Sequence, residues 1–242
     1  MTLKERIRNW FTDSVKILKK EKYANIKKFY NLEYTKRMIS FSNTDTWKEE
    51  IKVLLESLDI NSNFVILDYG CNKGGLIKVL NTFGKKFEYI GVDINRSAIK
   101  KNIRKKNINF YLSKHNQIPD IKRKLDVVIF SHSIAHIENP DKVLQQVSSL
   151  LNSNGVIGVI TPNYYFKLFK VFTNLFNNYK ADKTVLTYYK MSQLKKLFKN
   201  NNFLHIKTWY YGESALHLAG KQIDFAKSRI FLIAKKNQEG KL

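Results

Sequence analysis

Residues Phe64 to Leu80, Phe-Val-Ile-Leu-Asp-Tyr-Gly-Cys-Asn-Lys-Gly-Gly-Leu-Ile-Lys-Val-Leu, constrain the fold more than any other part of the chain. An apolar run of strand length, Phe64 to Leu67, ends in Asp68, and a glycine loop follows. Apolar residues then recur at helical spacing through Leu76, Ile77 and Leu80, so the pattern predicts a strand, a tight turn and a helix. Glycines at 70, 74 and 75 let the backbone approach a ligand at the carboxyl end of that strand, where open α/β sheets bind theirs.

The loop excludes two common ligand classes. A phosphate-cradling P-loop needs Lys and then Ser or Thr after its last glycine, whereas Leu76 and Ile77 follow Gly75. A dinucleotide fingerprint needs G-x-G-x-x-G, but the spacing from Gly70 is G-x-x-x-G-G with Asn72 in the middle. Asp68, two residues before the first glycine, would repel a pyrophosphate. A cationic ligand without phosphate suits it better, and S-adenosylmethionine, with a sulfonium and an amino group, is one.

Leu67-Asp68-Tyr69-Gly70-Cys71-Asn72-Lys73-Gly74 resembles the D-x-G-x-G-x-G loop of class I S-adenosylmethionine-dependent methyltransferases, with Asn72 at the usual middle glycine. Asn tolerates positive φ better than most residues, so the turn survives. The resemblance implies that Asp68, Gly70, Cys71, Asn72 and Gly74 bind S-adenosylmethionine. Asp93 ends the apolar run Tyr89-Ile90-Gly91-Val92. An acid there can accept both ribose hydroxyls, the role the resemblance implies; the alternative is a helix N-cap for the segment from Asn95. Ile94 would pack on the adenine. The loop after the short strand Ile108 to Leu112 reads Ser113-Lys114-His115-Asn116, without the family's usual acid. Asn116 or Ser113 is the residue expected to accept the adenine amino group.

The strand Leu125 to Phe130 ends in Ser131-His132-Ser133-Ile134-Ala135-His136-Ile137-Glu138-Asn139-Pro140. This resembles the strand end and E-H-V-x-D-P turn of the ubiquinone- and menaquinone-type small-molecule methyltransferases, with Ala135 at the usual Glu. Thr161-Pro162-Asn163 matches the same subfamily, and the resemblance covers about residues 45 to 235. It implies a Rossmann-like, seven-stranded, mostly parallel sheet with helices on both faces and an antiparallel last strand. It further implies a small-molecule acceptor, methylated at oxygen, and a substrate lid in the aromatic insertion at about 164–190. Methyl transfer to a hydroxyl needs a base on the acceptor oxygen, and His132 and His136 are the candidates. The competing roles are a structural hydrogen bond for His136 and a polar wall for His132. Ser131 is expected to line the cofactor pocket, and Asn163 is expected beside the acceptor. The two histidines lack the third ligand of a zinc site, and Ser131 and Ser133 stand where metal-dependent relatives carry an acid, so no metal is expected.

Around this core, Leu3, Ile7, Trp10, Phe11, Val15 and Leu18 share one helical face, and a second helical stretch runs through Tyr23, Ile26, Phe29 and Tyr30. Residues 1–60 are expected to form a helical cap and 61–242 the catalytic domain. Thr46-Trp47-Lys48-Glu49 reads as a capping box leading to the stripe Ile51, Leu54, Leu55, Leu58. Farther on, a helix is expected from about Asn95 to Lys106, a turn at Asn152 to Gly155, and a Ser192 cap on a helix through Leu194, Leu197 and Phe198. The formal charge of +23 raises a nucleic-acid partner. Yet only seven of the 43 basic residues are arginine and they are dispersed, so that partner is not favoured. The basic helix at 3–20 makes peripheral membrane contact a further alternative. No apolar run reaches the ~18 residues of a membrane span and no signal-peptide core stands at the start, so the expected location is cytoplasmic.

Overall fold

The computed structural model describes residues 43–60, 62–100, 106–114, 117–173 and 184–237. The helices expected at 3–20 and 23–30, Asn116 and the middle of the insertion lie outside the described residues.

The first helix, α1 (Asp45–Glu56), is capped by Thr44, whose hydroxyl accepts the Trp47 amide at 3.2 Å. The cap is therefore Thr44 and not Thr46: starting there turns Trp47, Glu50, Ile51, Leu54 and Leu55 inward. There follow β1 (Asn63–Tyr69), α2 (Gly75–Leu80), β2 (Lys86–Asp93), α3 (Arg96–Ile99) and β3 (Ile108–Leu112). Asn95 caps α3 by accepting from the Ser97 and Ala98 amides. Beyond it come β4 (Leu125–Ser131) and a short 3₁₀ turn at Ile134–His136. Asn139 and Pro140 then start α4 (Pro140–Leu150) as the sequence predicts.

β5 spans Leu151–Pro162. The residues expected to turn, Asn152 to Gly155, do so as a bulge inside β5: the β4–β5 pairing jumps from Leu125↔Leu151 to Val127↔Val156, and a Cβ on Gly155 would stand 3.1 Å from Asn152 O. Asn152 Nδ2 donates to Asp126 at 2.6 Å across that bulge. Next are α5 (Tyr164–Thr173), α6 (Met191–Asn200), β6 (Phe203–Ser214), the hairpin β7 (His217–Leu218) with β8 (Lys221–Gln222), and β9 (Lys227–Lys236). Lys190, not Ser192, is the capping position of α6, its amide donating to Gln193 Oε1 at 3.0 Å.

The main sheet has the order β3-β2-β1-β4-β5-β9-β6, with β9 antiparallel to both neighbours. This is the seven-stranded, mostly parallel arrangement that the family resemblance implies. Each face is covered by its own apolar cluster. Trp47, Ile51, Leu54, Leu76 and Leu80 pack with Ile66 and Ile129 on one face, so α1 shares its core with the sheet. Val143, Leu144, Val147, Leu194 and Phe198 pack with Leu67, Val128 and Phe130 on the other. At roughly 25 cal/mol per Å² of apolar surface removed from water, these two layers supply most of the driving force for folding. Because β1 pairs with β2 on one side and β4 on the other, the strand order reverses there. That reversal opens a crevice at the strands' carboxyl ends, where such sheets bind ligands.

Candidate active site

The loop after β1 is tied to the end of β2. Gly70 N and Cys71 N both donate to Val92 O, at 2.7 and 3.1 Å. Asn72 N donates to Asp93 Oδ2 at 2.7 Å, and Asn95 N to Asp93 Oδ1 at 2.7 Å. Asp93 is thus the knot of the site, holding the loop before it and the turn after it, while Asn95 takes the capping role. Asn72 has φ +48°, the positive value its place in the motif predicts. Gly70 and Gly74 also have positive φ, and a Cβ on Gly70 would stand 2.5 Å from Ser133 Cβ. The glycines therefore bring the loop against the protein itself as well as toward a ligand.

Asp68 is 4% exposed and accepts the Tyr89 hydroxyl at 2.7 Å. Burial pushes its carboxyl up to about 7 against that hydrogen bond. Burial likewise raises Asp93, partly offset by its backbone donors. Burial also pushes the Cys71 thiol well up, so Cys71 is a small buried residue and no nucleophile. Ile94 is half-buried at the turn. Ser113 directs its hydroxyl to Lys114 O and Gln117 O, so its proton is committed to the backbone.

At the ends of β4 and β5 the site is made from distant segments. Ser131 Oγ accepts Trp47 Nε1–H at 3.2 Å. His132 has φ +56°, its amide donates to Ile160 O at 2.8 Å, and its Nε2 lies 2.8 Å from Glu50 Oε2. Glu50 is 1% exposed, and its other oxygen is 3.0 Å from Arg229 Nε. Although burial pushes Glu50 upward, His132 and Arg229 hold it below the usual carboxylate range. Burial lowers His132 from its ordinary value. His136 differs: its Nδ1 donates to Thr184 O at 2.9 Å, and the Leu186 and Thr187 amides clasp Ala135 O. That ring ties the turn to the far end of the insertion.

Asn163, expected beside the acceptor, is 1% exposed and fully engaged, donating to Phe225 O and Lys227 O and accepting from Tyr165 N. It staples β5 to the segment before β9 by satisfying carbonyls that would otherwise be left without a donor. The insertion's described aromatics pack on the segment before β9: Phe225 lies 5.8 Å from Tyr165 and 6.1 Å from Phe169, and within the insertion Lys167 Nζ sits 3.7 Å over Tyr188. Glu50 and Arg229 escape a sequence reading. The signal available was a glutamate inside the stripe Trp47, Ile51, Leu54, since an acid on a buried helical face demands partners. Among the described residues no three His, Cys, Asp or Glu side chains group as a metal site.

The donor set fits S-adenosylmethionine: two strand-end carboxylates, a glycine loop close to both, and, among the described residues, no basic phosphate cradle. Solved structures share the fold. The plantazolicin methyltransferase BamL, in complex with a desmethyl analog and SAH, superposes with a TM-score of 0.65 at 15% identity, covering 94% of this chain and 99% of that one. A SAM-dependent methyltransferase of Thermotoga maritima gives 0.64 at 13%, covering 86% and 98%. An S-adenosylmethionine-dependent methyltransferase of Clostridium acetobutylicum gives 0.57 at 14%, covering 90% and 98%. The ubiquinone biosynthesis O-methyltransferase of Pelagibacter ubique (strain HTCC1062) is 29% identical over 112 residues, 43% of this chain and 45% of that protein, so the match spans less than half of the relative's length. The family described as a methyltransferase domain matches residues 39–208. With most of its length inside that match, this chain belongs to the methyltransferase-domain family and is an S-adenosylmethionine-dependent enzyme.

Proposed function

We propose that the enzyme methylates a small molecule at a hydroxyl oxygen, a quinone precursor, sugar or other secondary metabolite being the class of acceptor. The observation that carries this reading is the pairing of a carboxylate edge at β1 and β2 with a histidine-bearing edge at β4. The match to a ubiquinone O-methyltransferase over part of the chain supports an oxygen acceptor. The cofactor supplies an activated methyl group. The Asp93 carboxylate, Asn72 and the Gly70–Gly74 loop hold the ribose side, Ile94 meets the adenine, and Asp68 stabilises the cationic end. The acceptor lies between Ser131, the histidine turn and the insertion, its hydroxyl aligned with the methyl, and a histidine removes its proton. No metal is needed, so EDTA should leave turnover unchanged. Calorimetry with S-adenosylmethionine and a screen of hydroxylated metabolites for methylated product test the reading. Tight NAD binding, or products methylated only at nitrogen, would overturn it.

One surface favours a second reading, in which the acceptor is lipid-linked. Leu218 at the β7–β8 hairpin is 72% exposed and pairs with Lys221, and Phe225, two residues before Lys227, is 44% exposed. An apolar tip fringed by lysines suits an anionic bilayer surface. Sedimentation with anionic liposomes, weakened by Leu218→Asp, checks it.

A further inference from the structure

We infer that Ser133 binds the amino-acid end of S-adenosylmethionine, its hydroxyl donating to the cofactor's carboxylate across the gap between β1 and β4. The inference rests on the cofactor placement proposed above, along the β1–β2 edge.

Ser133 stands just past the end of β4 and Gly70 just past the end of β1, the two strands between which the sheet order reverses. The residues meet there: a Cβ on Gly70 would stand 2.5 Å from Ser133 Cβ and 3.3 Å from Ser133 Oγ. Ser133 Oγ is buried and, among the described residues, makes no hydrogen bond. Such orphans are rare in a folded chain, because each gives up its bonds to water and gains none in return. The ordinary structural task of a serine at this place is left undone as well. Ser133 heads the 3₁₀ turn Ile134–His136, where a hydroxyl commonly accepts an amide, yet its side chain makes no capping bond. Its carbonyl serves the turn instead, accepting from His136 N at 2.9 Å. The serines at neighbouring strand ends differ, since the hydroxyls of Ser131 and Ser113 both have partners.

The cofactor's chemistry accounts for the orphan. Its carboxylate accepts hydrogen bonds and cannot donate, and the ionised Asp68 and Asp93 are acceptors too. The loop's own amides are committed within the protein: Gly70 N and Cys71 N donate to Val92 O, Asn72 N to Asp93, and Gly74 N to Cys71 O at 2.8 Å. A donor for the carboxylate then comes from the opposite side of the gap, where Ser133 stands. The residue as a whole is half-buried, and its χ1 has three staggered wells, so the hydroxyl can turn toward a ligand lying over Gly70. Holding the carboxylate fixes one end of the cofactor while Asp93 fixes the ribose, and the sulfonium lies between the two anchors.

Titration calorimetry on the full chain tests this with S-adenosylmethionine, its decarboxylated form, which keeps the sulfonium and the ammonium, and methylthioadenosine, which lacks the amino-acid end. Ser133→Ala should weaken S-adenosylmethionine by roughly tenfold or more, the loss of a hydrogen bond to a charged group, and leave the other two ligands within about twofold. The variant's melting temperature without ligand should be no lower than the wild type's, because the deleted hydroxyl had no partner in the protein. A lower melting temperature would mark a structural hydroxyl and overturn the inference. Equal weakening of S-adenosylmethionine and its decarboxylated form would also overturn it, since the serine would then serve the ammonium. So would a wild type that binds those two ligands equally well, a result that needs no variant. Unchanged affinity in Ser133→Ala defeats this inference alone, whereas unchanged affinity in Asp93→Ala defeats the placement beneath it.

Discussion

The two halves of the sheet's carboxyl edge handle buried charge in opposite ways. At the β1–β2 edge, Asp68 and Asp93 have no basic side chain hydrogen-bonded to them among the described residues; a tyrosine hydroxyl and backbone amides serve instead, and both carboxyls are raised. At the β4–β9 edge, Glu50 is clamped between Arg229 and His132 and is lowered. An uncompensated acid suits an edge that waits for a cation. A compensated one holds its side chains in place without any ligand.

The largest test of that contrast is Arg229→Met. It leaves Glu50 buried without its guanidinium partner, and removing one member of a buried pair costs roughly 3 to 5 kcal/mol. Urea denaturation reads it, and a loss under about 1 kcal/mol would show that the clamp is dispensable.

The pH dependence of stability should then separate the edges. Asp68 has its folded value raised to about 7, above an unfolded value near 3.9. The native state therefore binds more protons between about pH 4 and pH 7, and stability from this group falls as pH rises across that window, by up to roughly 4 kcal/mol. Asp68→Asn should flatten the fall and raise the melting temperature at pH 8. Glu50 has the opposite sign: its folded value is depressed, so its contribution is present above the unfolded carboxylate pKa and is lost as pH falls through the folded one. If the Asp68→Asn variant's melting temperature changed as steeply between about pH 4 and 7 as the wild type's, Asp68 would not be the titrating group.

Asp93→Ala removes the proposed ribose contact and the acceptor for two backbone amides. Calorimetry should show S-adenosylmethionine affinity weakened by roughly ten- to a hundredfold, and an unchanged affinity would remove Asp93 from the cofactor site. The smallest effect is expected from Trp47→Phe. It keeps the ring's packing but deletes the bond to Ser131, worth about 1 kcal/mol, and a scanning calorimeter should detect a shift of a few degrees or less.

The β1–β2 edge was legible because its parts are close in sequence. Asp68, the glycines and Asn72 lie within one short loop, and Asp93 is the end of the next strand, so strand length and turn chemistry carry the information. Even there the capping role fell to Asn95, as only the chain path after β2 decides which oxygen reaches the first amides of α3. Small boundary differences have the same origin: Thr44 rather than Thr46 caps α1, and Lys190 rather than Ser192 heads α6, because the packed faces set the helix phase. Asn163 looked like an acceptor contact since nothing local reveals that Phe225 O and Lys227 O converge on it.

Sequence alone determined the alternation of strands and helices, the exclusion of phosphate-binding loops, and the two strand-end acids, since each depends on neighbours within a turn or two of chain. The tertiary structure decided the electrostatic state of those acids and the partners of the histidines. Glu50 and His132 are 82 residues apart, and Arg229 lies on the other side of β5 from β4. Burial and ion pairing are properties of where a group ends up among groups from other elements, and no periodicity in the chain encodes a separation of 2.8 Å between residues that far apart.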